Sequence, residues 1–172
     1  MRFLTLFCCF AFAALGANAS ELEVGDPAPD FTLQASDGKT YSLADFRGKQ
    51  AVVIAWFPRA FTSGCTVECK SLAENGDLVR QYDVTYFMAS VDPLEKNIDF
   101  AKATEADFPL LSDPSKEVAD AYGVLRMGTF AGRETVYIAV DGTVLMIDDD
   151  VNPATSAQDM AANLGKLGIA RR

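Results

Sequence analysis

The chain predicts an α/β fold: a mixed central sheet flanked by helices, with a β-hairpin at its N-terminal end. Three observations predict it. "AVVIAWF" (51–57) is continuously apolar and rich in β-branched residues, the pattern of a strand buried on both faces. Around it, short apolar runs alternate with stretches of helical spacing, as in sheets covered by helices. Asp37-Gly38 and Asp141-Gly142 each divide two strand-like runs, and Asp-Gly is a strong signal for a tight hairpin turn.

The elements run in order along the chain. In "DFTLQASDGKTYSL", Phe31 and Leu33 alternate with polar residues, and Tyr41 to Leu43 return after the turn. After strand 51–57, residues 58–64 read as loop. Helical spacing begins at Cys65, weakened at Asn75-Gly76 before the next apolar run, "VTYFMASV" (84–91). Residues 94–106 read as a helix with Leu94, Ile98 and Ala101 on one face. "FPLLSD" is a short strand, and "SKEVADAYG" a helix closed by Gly123. "TVYIAV" and "TVLMID" form the second hairpin, and residues 154–167 a last amphipathic helix. A buried strand, a loop and a cysteine at a helix start make a thioredoxin-like layout.

The first nineteen residues read as an export signal rather than as part of this fold. Arg2 is positive, "FLTLFCCFAFAAL" is an apolar run of 13 residues, and Ala17-Asn18-Ala19 supplies small residues at −3 and −1 of a cleavage site. That run is too short for a spanning helix, which needs roughly 20 apolar residues. Cleavage after Ala19 leaves one domain, residues 20–172, in the periplasm or outside the cell. No repeat or linker-like tract divides it.

Without Arg2 the domain holds 14 basic and 24 acidic side chains, a net charge of −10. This balance speaks against a nucleic-acid partner and an anionic membrane surface, since phosphate binding needs a basic face. Two cysteines remain, Cys65 and Cys69. An oxidising compartment favours a disulfide. A bond between residues so close closes a tiny loop and contributes little to stability, so a purely structural role explains the pair poorly.

A thiol at the start of a helix gains from free backbone N–H groups and the helix dipole, which favour the thiolate, the nucleophilic form. There is no histidine in the chain, which excludes Cys–His chemistry. The remaining activator is an arginine, with Arg47, Arg59, Arg126 and Arg133 all available. Glu68, one turn on, acts against a thiolate unless a guanidinium neutralises it. Sco-type copper chaperones share the C-x3-C spacing but require an imidazole ligand, and structural zinc requires four ligands. A dithiol oxidoreductase of the thioredoxin kind would carry C-x-x-C. A binding module with the same layout and no catalysis is the competing class.

"PRAFTSGC" (58–65) fits P-x-x-x-T-x-x-C, and with it the chain resembles the peroxiredoxins. "CTVE" is similar to the C-T-x-E of their bacterioferritin-comigratory, or Q, subfamily. "ASVD", "FPLLSDPSKEVADAYGV" and "RETVYIAVDG" resemble further segments of that subfamily in the same order, so the likeness spans roughly residues 24–150.

The resemblance implies a thiol-dependent peroxidase needing no metal or cofactor. It makes Cys65 the peroxidatic cysteine, which attacks a small peroxide and becomes a sulfenic acid. Thr62 would hydrogen-bond the thiolate and the peroxide, Pro58 would shield the pocket, and Arg133 would stabilise the thiolate and orient the O–O bond. Cys69 would resolve the sulfenic acid, and an external thiol reductant would complete the cycle. Two departures stand out. Phe61 and Ser63 replace the polar Asn and the Pro common in the subfamily. Cys69 lies four residues after Cys65, where the subfamily spacing on this helix is five.

Overall fold

The computed structural model describes residues 22–172, so the expected export signal and its cleavage site lie outside the described residues. Seven strands form one mixed sheet. They are β1 (Thr32–Ala35), β2 (Thr40–Ser42), β3 (Ala51–Trp56), β4 (Val84–Ser90), β5 (Leu110–Ser112), β8 (Glu134–Ile138) and β9 (Val144–Asp148). Their spatial order is β2-β1-β5-β4-β3-β8-β9. β3, β4 and β5 run parallel, whereas β1–β5 and β3–β8 pair antiparallel and each outer pair is a hairpin.

Every residue of β3 is buried, and alternate side chains feed two separate cores. Val53, Ala55 and Phe57 enter one with Cys65, Cys69, Leu72, Phe100 and Leu164. Val52, Ile54 and Trp56 enter the other with Phe31, Phe87, Tyr122 and Ile138. This double burial is why β3 has no polar alternation. The first core lies beneath α1 (Ser63–Arg80), α2 (Leu94–Thr104) and α4 (Ser156–Lys166). The second is covered by the five-residue α3 (Glu117–Ala121) and by the segments flanking the N-terminal hairpin.

Several boundaries differ from the sequence expectation. α1 starts at Ser63, two residues early, so Cys65 is its third residue. It also runs unbroken through Asn75-Gly76. Gly76 is buried there, and a Cβ at that position would lie 2.6 Å from the Tyr86 hydroxyl and 2.7 Å from an Arg80 nitrogen. The glycine provides a close approach within the helix rather than a weak point. α2 stops at Thr104 because Glu105 turns left-handed, φ 56°. A 3-10 turn, Pro153–Thr155, precedes α4. A small hairpin, β6 (Leu125–Arg126) with β7 (Phe130–Ala131), has runs too short to read from pattern.

Candidate active site

Cys65 sits where β3 hands the chain to α1. The segment 58–62 makes the connection, and Thr62 takes the N-cap position of α1 with extended backbone. The first helical bond runs from the Thr66 amide to the Thr62 carbonyl at 2.9 Å. The amides before it have no partner within the helix, which places fixed donors around the third residue. Cys65 is buried, 1% exposed, and its thiol is free.

The sheet brings in the guanidinium. β8 lies antiparallel to β3 with Trp56 opposite Glu134, so Arg133, just ahead of β8, arrives beside the end of β3. Arg133 Nη2 lies 3.3 Å from Cys65 Sγ, across 68 residues of sequence. Its Nη1 pairs with Glu68 Oε2. Gly64 permits this approach, since a Cβ there would stand 3.1 Å from Arg133 Nη2. Glu68 is fully buried, and its other oxygen has no hydrogen-bond partner among the described residues. One cation therefore serves both a buried carboxylate and the Cys65 sulfur, which answers the electrostatic objection that Glu68 raises.

Two of the other three candidate arginines are engaged elsewhere. Arg47 reaches Asp30 at 3.1 Å, and Arg126 pairs with Glu134 and donates to the Gly123 carbonyl at 2.7 Å. Arg59 is exposed.

Thr62 and Pro58 stand in the loop ahead of Cys65, but neither makes a hydrogen bond to the sulfur. The Thr62 hydroxyl donates to the Arg59 carbonyl at 2.9 Å, so its single proton is directed into its own loop. Pro58 is half-buried just past Phe57. Phe61 has φ 67°, a left-handed conformation uncommon for a bulky residue, and rests edge-on against Phe100 with ring centroids 5.2 Å apart. Ser63 is exposed at the first position of α1.

Cys69 is also free and is fully buried on the inner face of α1. Its Sγ lies 3.1 Å from Thr104 Oγ1 on α2. Burial pushes its thiol up to about 11; the Thr104 contact opposes the shift and the neighbouring Cys65 charge adds to it. The two cysteines are not bonded to each other.

Three features carry no role on sequence grounds. Asp92, inside "ASVD", is buried and accepts from the Ala60 amide at 2.7 Å. Thr104 meets Cys69, and Phe100 meets Phe61. Asp92 belongs to a segment that resembles the family, whereas nothing in helical spacing points to Thr104 or Phe100. Among the described residues no group of three or more His, Cys, Asp or Glu is placed to hold a metal, and no helix is long and apolar enough to cross a membrane. The two clearest concavities, about 660 and 250 Å³, lie elsewhere and include neither Cys65 nor Arg133.

The comparisons with known proteins give the family. The family described as AhpC/TSA matches residues 24–147. Peroxiredoxin Bcp of Escherichia coli (strain K12) is 36% identical over 129 residues, covering 75% of this chain and 81% of that protein. The crystal structure of peroxidoxin BcpB from Mycobacterium tuberculosis superposes with a TM-score of 0.76 at 28% identity, covering 85% of this chain and 98% of that one. A variant of PrxQ from Xylella fastidiosa shares the fold, with a TM-score of 0.78 at 20% identity over 87% of this chain and 99% of its own. With a thiol at a helix start, a guanidinium on it and this kinship, the chain belongs to the AhpC/TSA family and, within it, to the peroxiredoxins of the bacterioferritin-comigratory kind.

Proposed function

We propose that the peroxide reductase activity of this peroxiredoxin runs through Cys65, with Arg133, Thr62 and Pro58 shaping the reaction and Cys69 resolving its product. The single observation that carries the reading is the 3.3 Å approach of Arg133 Nη2 to Cys65 Sγ. The Cys65 thiolate attacks the terminal oxygen of a hydroperoxide. An S–O bond forms as the O–O bond breaks, sulfur is oxidised by two electrons, and the departing alkoxide or hydroxide takes up a proton. Negative charge spreads from sulfur along the O–O axis, where Arg133 and the free amides of α1 are already aimed. Thr62, once its hydroxyl turns from the Arg59 carbonyl, adds a donor. Pro58 limits water at the loop.

The sulfenic acid is then attacked by the Cys69 thiol, which forms a disulfide and releases water. At i and i+4 of a helix Cβ atoms stand about 5–6 Å apart, whereas a disulfide needs about 3.5–4.5 Å. The first turns of α1 must therefore unwind for the bond to close. Two equivalents of an external thiol, or one dithiol, return both cysteines to the reduced state and leave as a disulfide. The test is Cys65→Ser, which keeps the packing and removes the nucleophile. It abolishes peroxide consumption with the fold intact; consumption at the wild-type rate would overturn the reading.

Arg2, the apolar run behind it and Ala17-Asn18-Ala19 support export of a domain spanning residues 20–172 into the periplasm or beyond. Exported protein begins at Ser20, and N-terminal sequencing that finds another start sinks this assignment.

A further inference from the structure

The loop that carries Pro58 and Thr62 has no helix or strand of its own to hold it, so its shape depends on side-chain anchors. The principal anchor comes from the far end of β4. Asp92 Oδ2 accepts the Ala60 N–H at 2.7 Å, a buried bond between segments 32 residues apart. Asp92 is itself 9% exposed. Its Oδ1 takes Lys96 Nζ at 2.7 Å, and its Oδ2 also takes the Ser90 hydroxyl at 3.3 Å. Asn97 holds Ser90 in turn and donates to Ser112 Oγ at 2.8 Å, which ties the anchor to the ends of β4 and β5.

The residues after Ala60 depend on that anchor. Phe61 is left-handed, a conformation that persists only where its surroundings impose it. Ala60 is fixed by Asp92 on one side of it. The Phe61 ring is fixed by Phe100 on the other. The left-handed turn delivers Thr62 to the N-cap of α1, and Cys65 comes three residues later. Asp92 reaches the site only through this chain of backbone.

We propose that Asp92 is a positioning residue for peroxide reduction: through the Ala60 amide it sets the loop that aligns Thr62 and the peroxide with Cys65. This rests on Cys65 as the nucleophile. It gives a buried carboxylate a task that its ion pair with Lys96 alone would not. It also separates two quantities that a structural role would change together. Thiolate reactivity depends on Arg133 and the helix start, whereas peroxide alignment depends also on the loop.

The experiment compares two reactions of Cys65 in the purified protein: with hydrogen peroxide, which needs the aligned loop, and with iodoacetamide, which needs only the thiolate. In Asp92→Ala the peroxide rate constant falls by about 10- to 100-fold while alkylation stays within about twofold of wild type. Asp92→Asn, which keeps an acceptor for the Ala60 amide, recovers most of the peroxide rate. An unchanged peroxide rate in Asp92→Ala overturns the proposal, as does an equal loss in both reactions. Should Asp92→Ala not fold, Asp92→Glu carries the test. It keeps the charge and moves the acceptor by one methylene, and a wild-type peroxide rate in it overturns the proposal. Failure of Cys65 as nucleophile is read separately, as peroxide consumption that persists in Cys65→Ser.

Discussion

Cys69 Sγ and Thr104 Oγ1 stand 3.1 Å apart inside the protein, joining the middle of α1 to the last residue of α2. The second thiol is therefore stored away from the first and must leave this contact to reach it. One equivalent of peroxide should give an intramolecular Cys65–Cys69 disulfide, with helicity lost over residues 65–72. Cys69→Ser should react once and then accumulate sulfenic acid, over-oxidise or depend on an added thiol. Intact mass with peptide mapping reads the outcome. A stable sulfenic acid or an intermolecular bridge in the wild type would leave Cys69 as a packing residue only.

Arg133→Met should slow the reaction with peroxide by orders of magnitude, because charge on sulfur and on the leaving oxygen loses its partner. The same change leaves Glu68 buried without a cation, at a cost of about 3–5 kcal/mol. The double variant Arg133→Met with Glu68→Gln separates the effects. It should regain most of the lost stability in urea unfolding and none of the peroxide rate. Recovery of the rate in the double variant would remove Arg133 from the chemistry.

Alkaline pH should destabilise the fold through Cys69. Its thiol rises from 9.0 to about 11 on folding, so the folded chain holds the proton more tightly than the unfolded one. The stabilisation is fully present below pH 9 and is lost as pH climbs through about 11. Tyr86 and Tyr137, each pushed up to about 12 mainly by burial, extend the loss beyond that. Urea midpoints of the reduced protein should fall between about pH 9 and 11 in the wild type, and fall less in Cys69→Ser. Equal slopes would contradict the burial of this thiol.

Gly76→Ala should destabilise by about 1–3 kcal/mol, despite the roughly 1 kcal/mol that alanine normally adds to a helix. The added methyl meets the Tyr86 hydroxyl and Arg80 together, just where these two hydrogen-bond at 2.9 Å. Tyr86→Phe in the same chain should recover part of the loss. A stabilising Gly76→Ala would mean that the helix is as weak there as its sequence suggests.

The buried strand β3 and both Asp-Gly hairpins were legible because their signals are local: continuous burial and tight-turn chemistry. So was the need for an arginine beside Cys65. The resemblance supplied which arginine, whereas local pattern left four. The contact depends on β8 inserting antiparallel beside β3, a long-range pairing that spacing does not encode. Glu68 reads as a carboxylate that needs a guanidinium, but its full burial is not legible, because its cation comes from that same distant segment. Gly76 misled for a related reason. A glycine inside a helical pattern signals weakness unless one knows that a tyrosine from the neighbouring strand crosses above it. Thr62 was placed correctly on the loop, yet its hydroxyl faces the Arg59 carbonyl, a choice of rotamer invisible in sequence.

The position of β9 at one end of the sheet bears on how the protein behaves in a crowded solution. An outermost strand offers unpaired backbone groups to any passing chain, and such edges nucleate aggregates. Here the strand runs straight into Asp148, Asp149 and Asp150, the last two exposed. A second chain extending the sheet from this side would have to strip water from consecutive carboxylates in a protein already strongly acidic. The opposite edge, β2, is only three residues long. The sheet is thus guarded at one border by charge, with Val144 already bonded to Gly25 and Asp26, and at the other by brevity.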